Sequence, residues 1–408
     1  MTKALSANIR VRVGAIFDEL LEAWKPTADG RLQSSNWNVN FYEAALVQLL
    51  DLSSFGLPRV EAMRCAYRAL RNALKSEARS LPVFEQELEA EIAAARRKRR
   101  SRFTLSTRTF IAASSAPEFE FDLWGTIARF SSDAPEDLRL HDFFLSGHGD
   151  VNPNQPEGGL YCVLPIYARS ADQAAEQAAD HLSEAFGALN FWLNLGTLRW
   201  RSGPPEIRAT LFPGRDMVIC DSRGEMHTES VWFHLDYPQN TTRLSDSERS
   251  RIAELEKFSG PLSRVKRADQ QFYRDFFRLY FEAISERDTD LRVLRLWKAA
   301  EIATFSSSAS EIARRLAATW KERELVFAVC FALGHRRNEV MHSRYPGLKL
   351  DDVPEIFRQF LEFSVWHSLS SNIDGLAHWR TILELATSNQ DLTAIEQALP
   401  VAKSLVAR

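Results

Sequence analysis

Residues 291–305 read LRVLRLWKAAEIATF. Leu291, Leu294, Trp297 and Ala300 recur every third position, and Val293, Leu296 and Phe305 widen the same stripe. This spacing predicts a helix over 289–305 with one apolar face turned to a core. Immediately upstream, Phe272, Phe276, Tyr280 and Ile284 repeat every fourth position and predict a partner helix over 268–286. Outward from this pair the same periodicity predicts helices at 245–258, 308–333, 335–343, 352–373 and 376–388. Short connections between helices of this kind favour antiparallel neighbours, so 245–408 reads as an all-α helical bundle.

Further from the bundle the pattern changes twice. Residues 1–100 read as a helical N-terminal region. Ile16, Phe17, Leu20, Leu21 and Trp24 mark one helix, and Phe41, Ala45 and Leu49 mark another. Pro58 suits the first position of a third helix through Met63, Tyr67, Leu70 and Leu74. A fourth covers 81–98 and ends in Arg96-Arg97-Lys98-Arg99-Arg100, where cations favour a helix C-terminus. Residues 101–240 read as an α+β regulatory or sensor domain. Strands are predicted at Phe103–Ala112, Phe119–Ile127, Leu160–Tyr167, Met217–Cys220 and Ser230–Leu235, with a turn at Ser222-Arg223-Gly224. Ser170 and Gln173 form a capping box at the start of a long helix that Gly196 stops. Residues 147–159 read as a long polar loop, and Pro238 to Thr242 as a linker. The fold class is therefore multidomain: a helical and α+β N-terminal region followed by an all-α bundle. A chain of 408 residues is long enough for two or three cores.

Composition excludes several classes of function. The longest apolar run, around Leu325 to Leu333, is about half of what a membrane span requires. The N-terminus lacks an apolar stretch with a cleavage site, so the expectation is a cytoplasmic protein without a membrane partner. Cys65, Cys162, Cys220 and Cys330 lie far apart with no CxxC pair, as expected of buried thiols in a reducing compartment. No phosphate-binding glycine loop and no nucleophile elbow occurs, which disfavours an NTPase, a dinucleotide enzyme or a serine hydrolase. His141, Asp142, His148 and Asp150 are metal-ligand types, but they cluster on one strand end and loop rather than over several helices. No metal and no cofactor are expected. The net charge of −3 conceals an asymmetry. From Lys257 to Leu350, 18 Lys and Arg stand against 11 Asp and Glu, an excess of seven, so the remainder carries −10. A local basic excess on an acidic chain suits an anionic partner such as RNA.

The chemistry concentrates in Gly334-His335-Arg336-Arg337-Asn338-Glu339-Val340-Met341-His342. On a helix, Asn338 and His342 lie on one side, and Arg337 can swing its long side chain toward them. Cutting a phosphodiester with RNA's own 2′-hydroxyl requires a proton-transfer group near neutral pH, a cation for the non-bridging oxygens and a polar group to orient both. His, Arg and Asn supply these in turn.

These residues resemble the HEPN family, helical bundles marked by Arg, a polar residue, a few positions and then His. The segment 291–305 is similar to the helix of Apea-like HEPN domains that carries LW-(K/T)-A-x-E, with Glu301 at the acidic position. The resemblance spans about 257–375. It departs after the motif His, where many relatives have Gly and this chain has Ser343. The resemblance implies metal-independent RNA cleavage leaving a 2′,3′-cyclic phosphate. His342 would act as general acid or base, Arg337 would stabilise the transition state, and Asn338 would position the phosphate or His342. Glu301 would fix the rotamer of Arg337, while His335, Arg336 and Arg344 could bind flanking phosphates. It also implies a homodimer with a composite site, a growth-arresting or antiphage role, and a phage-derived trigger or inhibitory partner acting through the N-terminal region. The alternative is a HEPN module that dimerises and binds RNA or nucleotide without cutting it.

Overall fold

A computed structural model describes residues 7–27, 32–34, 39–57, 59–133, 159–196, 209–214, 216–227, 232–233, 243–342, 353–371 and 375–387. Among these, thirteen α-helices accompany eight short or medium strands. The chain divides into two compact units. One comprises 1–105, 166–178 and 218–231; the other comprises 106–165, 179–217 and 232–408.

The first unit is built on four helices: α1 (Ala7–Ala23), α2 (Val39–Leu49), α3 (Arg59–Lys75) and α4 (Leu81–Arg97). Their apolar faces meet in a core holding Phe17, Leu46, Phe55, Leu70, Leu74, Phe84 and Ile92. Phe17 and Phe84 stack at 5.8 Å between ring centroids. The helical reading of 1–100 missed one element, a two-stranded antiparallel ladder of β1 (Trp24–Pro26) and β2 (Leu32–Ser34). Three-residue strands leave no alternation for a sequence pattern to register. The basic run closing α4 does local structural work: Arg96 donates to the Phe55 carbonyl and Arg97 to the Ala93 carbonyl. Pro58 lies outside the described residues.

The remaining strands form one six-stranded sheet: β3 (Ser101–Ala112), β4 (Phe119–Leu123), β5 (Thr126–Ser131), β6 (Gly159–Ala168), β7 (Asp216–Cys220) and β8 (Trp232–Phe233), in the order β4-β5-β6-β3-β7-β8. The single strand anticipated over 119–127 is instead a hairpin, paired from Phe119 opposite Phe130 to Leu123 opposite Thr126. Trp124 and Gly125 both take positive φ, 52° and 88°, as the tight turn between right-twisted strands requires. The Asp122 carboxylate accepts the Gly125 N–H at 2.6 Å. A tryptophan at the first such position gives no sequence signal for this turn, because Gly, Asn and Asp are the residues that ordinarily take positive φ there.

Helix α5 (Ala171–Asn194) starts directly after Ser170, whose hydroxyl accepts the Gln173 N–H at 3.2 Å as the expected cap does. Gln173 in turn accepts the Arg169 N–H at 2.7 Å. Gly196 follows the helix at φ +70°.

The second unit holds eight further helices: α6 (Asp246–Ala253), α7 (Leu255–Ser263), α8 (Gln270–Ile284), α9 (Thr289–Thr304), α10 (Ala309–Ala317), α11 (Arg323–His342), α12 (Val353–Ser370) and α13 (Leu376–Thr387). Helix α8 packs on α9, α10 on α11, and α12 on α9. Phe191 of α5 sits among Phe258, Phe276, Phe277 and Tyr280, all within 6.0 Å centroid to centroid. That closeness needs Gly187, because a Cβ there would lie 2.0 Å from the Phe277 carbonyl oxygen.

Three expectations for these helices require correction. The helix read over 245–258 is two, α6 and α7, divided at Glu254. The helices read over 308–333 and 335–343 break elsewhere. The interruption falls at 318–322, and α11 then runs unbroken through Gly334. That glycine serves packing, since an added Cβ would lie 2.9 Å from Trp297 Cη2 and 3.0 Å from Ala309 Cβ. Finally, Leu291 is 46 % exposed and Leu294 only half-buried, so of the expected stripe the buried part of α9 is Val293, Leu296, Trp297 and Ala300, and its Leu291–Leu294 edge is not covered. Among the described residues, no helix is long and apolar enough to cross a membrane.

Candidate functional site

Helix α11 carries the Arg-Asn pair, and α9 forms the wall beside it. Trp297 of α9 stacks on Phe357 of α12 at 5.7 Å and abuts the flat backbone of Gly334. Three residues further along α11, Arg337 extends over α9. Its guanidinium donates to the Asn338 amide oxygen at 3.0 Å and lies 3.7 Å from the Glu301 carboxylate. Glu301 is 14 % exposed and takes Lys298 Nζ on its other oxygen at 2.7 Å, so one carboxylate lies between two cations. Arg337 itself is 38 % exposed. A pair that open to water contributes about 0–1 kcal/mol, so the guanidinium exchanges partners at little cost.

The neighbouring cation goes the other way. Arg336 reaches Asp290 in the first turn of α9 at 2.8 Å and is 15 % exposed. Asp290 and Glu301 lie eleven positions apart, about 16 Å along the helix at 1.5 Å per residue. Adjacent arginines therefore clamp opposite ends of α9. Exposed His335 meets Phe331 edge-on at 4.7 Å. The structure brings Arg337, Asn338 and Glu301 together and directs Arg336 and His335 elsewhere. His342 is the last residue of α11. Its side chain, together with Arg344 and Ser343, lies outside the described residues.

Two features of this region were not read from sequence. Lys298 shares Glu301, a contact that the three-residue spacing on α9 would have supplied. Asp290 holds Arg336 across two helices, a pairing with no local signature. The solvent side of α11 is also apolar: Leu325 is 63 % and Phe331 37 % exposed, and the Phe327 ring stacks on Phe331 at 5.5 Å.

Behind this face lies a buried polar cluster. Arg358 pairs with Glu355 and Glu362 on α12, and the Tyr280 hydroxyl donates to Glu362. Arg292 of α9 donates to the Glu286 carbonyl at 2.6 Å. Burial pushes the Glu362 carboxyl and the Tyr280 hydroxyl up, and the surrounding carboxylates push Arg358 up against its own burial.

Other expectations meet the structure as follows. All four cysteines are buried free thiols, and burial pushes Cys330 up to about 12. Among the described residues no group of three His, Cys, Asp or Glu is placed to hold a metal ion. His141, Asp142, His148 and Asp150 fall outside those residues. Compared with known proteins, the chain matches no family model, no curated protein and no solved structure.

Proposed function

We infer that the helical part of the second unit is a HEPN-like bundle and that the chain is a metal-independent endoribonuclease. The observation that carries this reading is the meeting of Arg337, Asn338 and Glu301. The two motif residues are bonded to each other, and the acidic residue of the LWKAAE helix is the one that Arg337 reaches. The continuous helix supports it further, because His342 follows Asn338 by four positions in α11 and so lies on the same side of the axis.

In the proposed reaction, His342 moves the protons of the 2′-hydroxyl and the leaving 5′-oxygen. Arg337 leaves its weak pair with Glu301 to hold the non-bridging phosphate oxygens with a planar donor fork. Asn338 orients that guanidinium, and Glu301 keeps it extended along α9 until substrate arrives. The apolar solvent face of α11, ending at the motif, fits a second copy of the chain and a composite site at the dimer interface. The N-terminal regions would act as sensor, with a growth-arresting or antiphage role and a phage-derived trigger or inhibitory partner. These assignments extend the family resemblance.

The engagement of Arg337 by both Glu301 and Asn338 also favours a second reading, in which the bundle binds RNA without cutting it. One experiment separates the two. The purified full chain and His342→Ala are incubated with total RNA in EDTA. Cleavage by the parent that falls at least a hundredfold in the variant supports the enzyme. Intact RNA with retained binding by both proteins supports the module.

A further inference from the structure

The basic run at the end of α4 belongs to the first unit, not to the α11 bundle. Six of the seven residues from Arg96 to Arg102 are cationic, five of them arginine, and no carboxylate interrupts them. Two are engaged locally, Arg96 on the Phe55 carbonyl and Arg97 on the Ala93 carbonyl. A helix dipole favours cations only within its last turn. Helix α4 ends at Arg97 with Lys98 as its cap, so Arg99, Arg100 and Arg102 lie beyond that effect. These three and Lys98 are exposed, and none of the four makes an ion pair among the described residues. Elsewhere in the first unit Arg10, Arg64 and Arg68 each hold a carboxylate. Crowded like charges without internal partners oppose the compact state, and an external polyanion relieves that repulsion.

Strand β3 follows this run directly, and its start adjoins an exposed aromatic ring. In β3 Arg102 is exposed while Phe103 and Leu105 are buried. In β6, its neighbour in the sheet, Tyr167 is exposed while Ile166 and Ala168 are buried. These ends of the two strands lie in the same unit. Alternation therefore puts Arg102 and Tyr167 on one uncovered face of the sheet. Tyr167 is 61 % exposed, so its ring is open to a stacking partner.

We propose that this face binds single-stranded RNA. Arg99, Arg100 and Arg102 hold backbone phosphates with their planar donor forks, and a base stacks on Tyr167. A lipid surface would call for apolar side chains among the cations, and residues 96–102 contain none. An acidic peptide would satisfy the arginines but leave the tyrosine ring uncovered. The choice of RNA over DNA rests on the reading of the chain as a ribonuclease or RNA-binding module, whereas the contact itself does not require cutting.

Fluorescence anisotropy of the full chain with a labelled single-stranded 2′-O-methyl RNA, which offers no 2′-hydroxyl for attack, tests binding apart from turnover. Arg99→Gln, Arg100→Gln and Arg102→Gln combined should weaken binding at least about tenfold and reduce the slope of log affinity against log salt by about 2, at about 0.7 per phosphate contact. Removing three exposed charges elsewhere in the first unit, by Arg12→Gln, Arg59→Gln and Lys75→Gln, should change affinity by less than about twofold. Tyr167→Ala should weaken RNA at least about fivefold and leave heparin, which has no bases, bound as before. Every replaced side chain is exposed, so the melting temperature should stay at the parent's value. Absence of RNA binding, or affinity indifferent to the triple arginine change or to Tyr167→Ala, would overturn the assignment. So would an equal loss in the scattered-charge control, or tighter binding to polyglutamate or phosphatidylserine vesicles than to RNA. Cleavage of ordinary RNA that needs His342, together with unaltered binding by the triple variant, would remove this contact and leave the ribonuclease reading standing. Binding lost in the triple variant of a chain that cuts no RNA would do the reverse.

Discussion

Replacing Gly334 by alanine should destabilise the protein even though alanine is the better helix former. Within α11 the substitution gains about 1 kcal/mol of helix propensity. Against this, the new Cβ lands 2.9 Å from Trp297 Cη2 and 3.0 Å from Ala309 Cβ. Neither neighbour is a flexible end: Trp297 is 2 % exposed and stacked on Phe357, and Ala309 opens α10. Overpacking of this kind costs about 1–3 kcal/mol, so a net loss of roughly 1 kcal/mol is expected. Gly260 of α7 provides the comparison, because beyond its chain neighbours a Cβ there meets nothing within 4 Å. Pro261 follows it and disfavours a Cβ on a helical predecessor, so Gly260→Ala should change stability by less than about 1 kcal/mol. Urea unfolding measures both, read as a midpoint shift at constant slope. Trp297→Leu in the Gly334→Ala background should cost less than the two single changes summed, by at least about 0.5 kcal/mol. If Gly334→Ala proves as stable as Gly260→Ala, the close approach of α9 and α11 is wrong and so is the placement of Arg337 beside Glu301.

Gly187→Ala should be far more damaging, by about 3 kcal/mol or more, because its Cβ would fall 2.0 Å from a backbone oxygen that cannot move aside; recovery of soluble protein and the urea midpoint report it. Arg358→Met should cost about 3–5 kcal/mol by stranding Glu362 in the core, whereas Arg358→Met with Glu362→Leu should recover much of that loss. Burial works to raise the Glu184 carboxyl, but the His181 hydrogen bond and the Arg274 charge outweigh it and hold it below the ordinary 4.5. Its stabilisation is therefore complete above that value and is lost as pH falls through the depressed one. Glu184→Gln should flatten this acid limb in a stability-versus-pH series. Glu301→Gln should change stability by at most about 1 kcal/mol while lowering RNA turnover; unchanged turnover would remove Glu301 from the mechanism.

Helix positions in the second unit were legible because long amphipathic segments repeat their signal, as Phe276 and Tyr280 on α8 illustrate. Positions set by contact were not. Leu291 fits the apolar row of α9 by spacing yet faces solvent, because spacing gives a stripe and only the neighbours decide which edge they cover. Gly334 resembles a helix stop, and Trp124 resembles a strand residue. The first is explained by the ring of Trp297 and the second by a turn with two positive φ angles. At the candidate site, Arg337 and Asn338 could be singled out from residue types and spacing, and Glu301 only through the resemblance of residues 291–305 to a known helix. The splayed paths of Arg336 and Arg337 could not, since Asp290 is 46 positions away in the chain.

In the proposed reaction an imidazole, a guanidinium and an amide cut RNA through its own 2′-hydroxyl. Its most direct measurement is cleavage, in EDTA, of a short RNA with one mapped scissile step, compared with the same strand lacking that single 2′-hydroxyl. The first strand should yield a 2′,3′-cyclic phosphate and the second no product. Cutting both strands alike, or cutting only when a divalent metal is supplied, would contradict it.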